Sequence, residues 1–400
     1  MAGILFWLCI FGIFYVYAGY PLLLALLSRV ISRPPVAGPG LPSVTLLIAA
    51  YNEEAVIAEK IENSLHLDYP ADKLQVLVAA DGSDDRTVEV VHSFAARGVE
   101  LSFDPARLGK MSAINRAMQA ARHEIILFSD ANNLYPPDTL RELVRFFSDP
   151  LVGAVSGSKH VLNGDGSLGD SEGMYWKYES FIKKQETRLG SCTGVAGEIF
   201  AIRRDLFVMP PARIINDDFF IAMQVIRQGR RVVYAPQAAS MERVSQSAQE
   251  EIVRRTRIVA GRYQAMSMSL GLLPFRQPLV VWQVISHKFM RPLVPFFMLG
   301  ALIANGLALA FSSRAEASLL RLSGVYGQLV FGFQVLFYLL AWIGGRMKSR
   351  GLLSKLMYVP TFLVNSNFAA LLGLFKYATG RQSVVWQRAA RRSESNGNPI

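Results

Sequence analysis

The chain has 400 residues, of which 51% are hydrophobic and only 18% charged, with a net charge of +11. That balance excludes an ordinary soluble protein, and the apolar residues concentrate at the two ends. The basic residues stand beside apolar spans (Arg29, Arg33, Arg346, Lys348, Arg350 and Lys355), which assigns the charge to an anionic membrane face rather than to nucleic acid, and two cysteines provide neither a disulfide framework nor a zinc spacing.

Residues 3–27 are almost wholly apolar and long enough to cross a bilayer as a helix. No basic residue precedes them and Arg29 and Arg33 follow, so residues 1–28 read as an uncleaved anchor with its C-terminal flank in the cytosol. Residues 29–42, with Pro34, Pro35, Gly38, Pro39, Gly40 and Pro42, read as a linker.

Strand and helix patterns then alternate. Residues 44–50, 74–80, 101–103 and 124–129 have the apolar runs of buried strands, and 53–67, 84–97 and 110–122 those of helices. Uninterrupted apolar strands between helices indicate an α/β fold with a mostly parallel sheet covered on both faces. Ligands in such sheets bind beyond the carboxyl ends of the strands. The polar clusters fall there: Tyr51-Asn52-Glu53-Glu54, Asp81-Gly82-Ser83, and Ser129-Asp130-Ala131-Asn132. With no Gly-x-Gly-x-x-Gly and no Walker loop, dinucleotide redox chemistry and P-loop hydrolysis both lack their phosphate cradle. Asp130 reads either as a turn cap or as a hard oxygen ligand for Mg²⁺ or Mn²⁺, for which one or two carboxylates plus substrate phosphates suffice.

A strand is expected at 152–157, a Gly-rich loop at 163–169 and an amphipathic helix at 174–187. A loop running into a strand follows at 194–201, where Gly197 permits close backbone approach. Asn216-Asp217-Asp218 then opens a helix over 219–228. The acids are either first-turn residues with Asn216 as cap or a general base. Residues 231–234 read as a strand ending at Pro236. A basic helix over 250–264 places Arg254 and Arg257 on one face, where they can meet a diphosphate. The domain region is therefore drawn at 43–265. An interfacial helix region is expected at 266–291, a transmembrane region with spans at 292–311 and 325–343 within 292–376, and a basic cytosolic tail at 377–400. Residues 355–376, with Pro360, Asn365, Ser366 and Asn367, are expected to lie in the interface or re-enter, because a full crossing would export the basic tail.

These motifs together resemble the membrane-bound family 2 glycosyltransferases. The carriers are Ala50-Tyr51-Asn52-Glu53-Glu54, Ala80-Asp81-Gly82-Ser83-Asp84-Asp85-Arg86-Thr87, Arg107-Leu108-Gly109-Lys110, Asp130-Ala131-Asn132, Asn216-Asp217-Asp218 and the run from Gly229 to Pro236. The resemblance implies a GT-A, Rossmann-like domain with N- and C-terminal transmembrane helices. It implies an inverting hexosyltransferase-type enzyme that uses a nucleotide-diphosphate sugar, uridine being the family's commonest nucleoside and guanine compatible with Asp81. It assigns Tyr51, Glu53 and Asp81 to the nucleoside, Asp130 with Asn132 to the metal, and Asp218 to the catalytic base, with Asp217 beside it. Lys110 would touch the phosphates or ribose; Arg254 and Arg257 would assist at the diphosphate, with Gly197 at the acceptor side. The implied partners are a lipid-linked or polysaccharide acceptor and the membrane, without nucleic acid, and the implied location is a bacterial inner membrane with the catalytic domain in the cytosol. Two departures stand out. Asn132 replaces the second acid of the usual Asp-x-Asp, and Arg254-Arg255-Thr256-Arg257-Ile258 keeps the Arg of Gln-x-x-Arg-Trp without its Gln or Trp. The second favours addition of one or a few sugars over processive synthesis coupled to export, for which three spans are few unless an oligomer enlarges the pore. A sensor would be expected to lack Asp130 or Asp218, and a transporter to carry charges inside several spans or repeated halves.

Overall fold

A computed structural model describes residues 1–162, 167–243, 248–311, 317–346 and 352–382. The chain divides into two compact units, one comprising Leu27–Glu250 with Ser267–Val281 and the other Met1–Leu26, Glu251–Met266 and Trp282–Gln382.

The first unit is built on an eight-stranded sheet: β1 (Val44–Ala50), β2 (Leu74–Asp81), β3 (Val99–Asp104), β4 (Ile125–Asp130), β5 (Asn133–Leu134), β6 (Val152–Leu162), β7 (Phe200–Arg203) and β8 (Arg231–Arg243), in the order β3-β2-β1-β4-β7-β6-β8-β5. β1 to β4 are mutually parallel, β6 and β8 pair parallel, β7 is antiparallel to both β4 and β6, and β5 is antiparallel to β8. Every residue of β1 is buried, which is why that strand reads as a continuous apolar run rather than an alternating one. Register aligns Ala50 with Ala80, Ala49 with Asp130 and Asp81 with Asp104, so β1 to β4 end together along one edge of the sheet.

The helices after β1 and β2 are shorter than the pattern predicts, at Ile57–Leu65 and Thr87–Ser93. Short polar side chains that compete for backbone donors cause this. Asp85 accepts from the backbone N–H of Glu54 at 3.1 Å and of Thr87 at 2.9 Å, and Thr87 Oγ1 accepts from the N–H of Glu53 at 2.8 Å. Similarly, the helix predicted over 110–122 stops at Ala117, and the N–H of Arg122 turns to Gln75 Oε1 at 3.0 Å. Of the loop expected at 163–169, residues 163–166 lie outside the described residues and the remainder opens the helix Ser167–Leu189. β8 does not end at Pro236. The missing proline N–H is absorbed by an irregularity in which Tyr234 and Ala239 face Ser156 and Ser158, and pairing then resumes to Arg243.

Within the second unit, apolar helices dominate. Ala2–Val30, Pro278–Phe311 and Gly324–Gly344 are long and apolar enough to cross a membrane. The segment expected as a separate interfacial helix is not separate. Residues from Pro278 onward continue into the apolar helix Val294–Phe311 through a π-turn, Ile285–Phe289, and a 3₁₀ turn, Arg291–Leu293. Residues 355–376 belong to one helix, Leu352–Ala378, which runs through Pro360. Its polar residues serve contacts inside the unit, where Arg255 donates to Ser366 Oγ at 2.7 Å and stacks over Phe362, and Asn367 donates to the Tyr17 hydroxyl at 3.2 Å. Such contacts satisfy polar groups that lipid would leave unpaired.

Candidate active site

At the end of β1 the chain turns through Asn52, whose φ of +51° is left-handed backbone that Asn tolerates. Its N–H donates to Ser83 Oγ at 3.1 Å and its side-chain oxygen accepts from the N–H of Asp84 at 3.0 Å, which binds the β1-end loop to the β2-end loop. Glu53 is buried beneath this junction at 1% exposure. The Tyr51 ring carries the Arg107 guanidinium 3.9 Å from its centroid. Asp81, 5% exposed, accepts from the N–H groups of Leu108 at 2.9 Å and Gly109 at 2.8 Å, one on each oxygen. Gly82 is required there: its φ is +60°, and a Cβ would stand 2.6 Å from the Arg107 nitrogen.

Asp130, the last residue of β4, receives the Lys110 ammonium at 2.7 Å. Lys110 opens the helix Lys110–Ala117 after Gly109, so the loop held on Asp81 also aims the lysine at Asp130. Beside them, Asn132 donates to Glu242 Oε1 at 2.9 Å. Glu242 pairs with Lys159, which also lies 3.3 Å from Glu198. Among the described residues no three His, Cys, Asp or Glu side chains form a ready metal cage. Asp130 and Asn132 nonetheless supply hard oxygen donors of the kind Mg²⁺ and Mn²⁺ share with substrate phosphates, so the donor set fits such an ion.

The acidic pair sits in the first turn of the helix Asp217–Arg227. Asn216 occupies the capping position without a side-chain capping bond; instead Asp218 Oδ1 accepts from the N–H of Phe219 at 2.7 Å. The positive end of the helix stabilises an anion there. Asp217, Asp218, Gly197 and Lys110 line one cavity, floored by Leu47, Phe128 and Phe200. A Cβ at Gly197 would stand 3.4 Å from Asp218 Cβ, an ordinary contact distance, so the loop lies directly against the carboxylate side chain.

Beneath this surface lies a polar hub that the sequence did not disclose. Asn133 is fully buried, and its amide meets four partners: Lys60 Nζ at 3.4 Å and Ser129 Oγ at 3.1 Å at the oxygen, Glu198 O at 3.1 Å and Ser240 Oγ at 2.9 Å at the nitrogen. Tyr135 donates to Glu198 O at 2.6 Å. Lys60 also donates to Asn133 O at 2.8 Å and lies 3.8 Å over the Tyr135 ring. The sequence signal for Lys60 was its spacing with Ile57, Ile61 and Ser64, which share its buried helix face.

Burial pushes the Lys60 ammonium down from 10.5 to about 7, against the opposing pull of Asp130. Between those two values the unfolded chain binds more protons than the folded one, so stability rises with pH across that window. Thermal denaturation at pH 7, 8.5 and 10 will show this rise, and Lys60→Met will flatten it; an unchanged slope in the variant would remove Lys60 as its cause.

The structure therefore gathers Lys110, Gly197, Asp217 and Asp218 around one cavity, links Asp130 to it through Lys110, and places Tyr51, Glu53 and Asp81 on the neighbouring strand ends. Arg254 and Arg257 stand on the helix Ala248–Ser267, in its stretch within the second unit, and are not among the residues lining this cavity.

Comparison with known proteins follows the same outline. A family model described as "Glycosyltransferase like family 2" matches residues 42–261. Poly-beta-1,6-N-acetyl-D-glucosamine synthase of Staphylococcus aureus is 25% identical over 212 residues, covering 52% of this chain and 51% of that protein. Beta-monoglucosyldiacylglycerol synthase of Synechocystis is 33% identical over 126 residues, 30% of this chain and 26% of that one. The chain spans about half the length, or less, of these curated relatives. Among solved structures, the mannosyltransferase PcManGT of Pyrobaculum calidifontis, in complex with GDP-Man and Mn²⁺, superposes with a TM-score of 0.69 at 23% identity, over 92% of this chain and 99% of that one. That likeness establishes the fold.

Proposed function

Because the chain belongs to glycosyltransferase-like family 2, we propose that it is a membrane-bound inverting transferase that moves a sugar from a nucleotide-diphosphate sugar, a UDP-sugar in the first instance, to a membrane-associated acceptor. The observation that carries this is the cavity joining Asp218, Asp217 and Gly197 to Lys110, whose ammonium is paired with Asp130. In this reading the acceptor hydroxyl oxygen attacks the anomeric carbon as the bond to the diphosphate oxygen breaks, and the hydroxyl proton passes to the Asp218 carboxylate. Tyr51, Glu53 and Asp81 hold the nucleoside, and Asp130 with Asn132 holds the divalent ion. When bound, that ion neutralises charge growing on the leaving diphosphate. Lys110, paired with Asp130, is placed to turn to the phosphates, and Arg254 and Arg257 add fixed positive charge at the diphosphate.

A membrane acceptor is supported by the three helices able to cross a bilayer and by relatives named for a polymer and for a glycolipid. The polymer-synthase relative favours, as a second reading, a processive synthase coupled to export; the missing Gln and Trp around Arg257 weigh against it. Residues 43–265 are assigned to a cytosolic catalytic domain of a bacterial cell membrane. The test is nucleotide release by sealed vesicles and by detergent-solubilised protein, given UDP- and GDP-sugars, Mg²⁺ or Mn²⁺, and membrane lipid extract. Metal-dependent release from one donor, seen in inside-out but not right-side-out vesicles, is the expected result. No release from any donor, together with no nucleotide binding, would overturn the reading.

A further inference from the structure

The nucleoside seat is not bare. A nucleobase offers a receptor two features, a flat face and N–H donors along its edge. The segment after β3 presents both to the same two side chains. The planar guanidinium of Arg107 covers the Tyr51 ring at 3.9 Å, and the N–H groups of Leu108 and Gly109 occupy Asp81. The segment is pinned on both sides of Arg107: Gly82 donates to Asp104 O at 3.0 Å before it, and the Asp81 bonds follow it. Gly82 itself lies so close beneath the Arg107 backbone that no side chain fits between them.

We propose that Arg107 is a resident occupant of the base-stacking face of Tyr51 and that the donor's nucleobase binds by displacing its side chain. This rests on the transferase reading above. The two halves of the mimicry differ in cost. A carboxylate has about four acceptor positions, so Asp81 keeps its backbone donors and still accepts an N–H from a base edge. The Tyr51 face carries one stacked group at a time, so the competition is confined to the guanidinium. Until a donor arrives, Arg107 shields the ring from water and the Leu108 and Gly109 bonds keep a nearly buried carboxylate paired, which would otherwise carry a desolvation penalty. Arginine suits this task because its delocalised plane stacks on aromatic faces as a lysine ammonium does not.

The test uses the full-length protein in detergent with Mn²⁺ present, titrated calorimetrically with UDP, GDP and inorganic pyrophosphate. Arg107→Ala is expected to bind the preferred nucleoside diphosphate about two- to fivefold more tightly, the weight of one exposed cation–π contact. Pyrophosphate, which lacks a base, is expected to bind both proteins alike. Arg107→Lys, keeping charge without the plane, should follow Arg107→Ala. On a Tyr51→Ala background the gain should vanish, because the contested face is gone. Weaker nucleotide binding by Arg107→Ala, or weaker pyrophosphate binding, would make Arg107 a donor ligand and overturn the proposal; unchanged nucleotide binding would overturn it as well. A wild-type protein that binds neither UDP nor GDP overturns the transferase reading itself, and this one with it.

Discussion

Asp218→Asn is expected to keep nucleotide binding and to lower sugar transfer by about 10²–10⁴-fold, the range that a positioned general base contributes. The substitution is nearly isosteric. An amide oxygen can still accept from the N–H of Phe219, which now holds Asp218 Oδ1 at 2.7 Å. What is lost is the capacity to take a proton and the negative charge placed at the positive end of the helix Asp217–Arg227. The nucleoside contacts proposed for Tyr51, Glu53 and Asp81 lie on other elements, so binding and transfer should separate. Single-turnover transfer measured beside calorimetric nucleotide binding makes that separation visible. If Asp218→Asn transfers at a near-wild-type rate, the base is elsewhere, and Asp217→Asn becomes the decisive variant.

The second large effect is on stability. Asn133→Ala removes an amide with four buried partners and leaves the Lys60 ammonium, Ser240 Oγ and Glu198 O with fewer contacts. Each buried polar group left unpaired costs about 1–3 kcal/mol, and because the partners share one network the costs will not add simply. A net loss of about 3 kcal/mol is expected, or a melting temperature lower by about 6–12 °C for a unit of this size. Asn133→Asp keeps the acceptors and loses the donors to Glu198 O and Ser240 Oγ. Its new charge beside Lys60 should hold the lysine protonated and flatten the pH dependence of stability. A melting temperature within 1–2 °C of wild type for Asn133→Ala would show that the hub contributes little.

The parallel half of the sheet is legible because β1, β2 and β4 are buried on both faces and so appear as apolar runs, interrupted only by Thr45 and Gln75, which bond each other, before the polar residues at their ends. The polar residues immediately after those runs had to lie at one edge, and that edge holds Tyr51, Asp81 and Asp130. Helix ends were read less well, since Asp85 and Thr87 bind backbone donors across a loop and shorten both neighbouring helices. The sequence predicts an end to β8 at Pro236 because a proline ordinarily stops a ladder, and only the irregularity against β6 carries the strand past it. Asn133, Lys60 and Glu242 escaped notice for a different reason. An amide, a lysine or a glutamate acquires its meaning from partners 65 to 110 residues away, and a local pattern contains no trace of them.

The separation of those partners also orders events in time. The strands β1 to β4 can pair once the first 130 residues exist, since their register involves nothing later. The hub cannot. Asn133 waits for Glu198 and then for Ser240, and Asn132 waits for Glu242. A chain emerging from the ribosome therefore carries the sheet edge with Tyr51 and Asp81 long before the acidic pair Asp217 and Asp218 and its supports. Long-range pairings of this kind are the late and slow steps of folding. The half-made sheet can therefore assemble the junction around Tyr51 and Asp81 before the cavity lined by Gly197, Asp217 and Asp218 can exist.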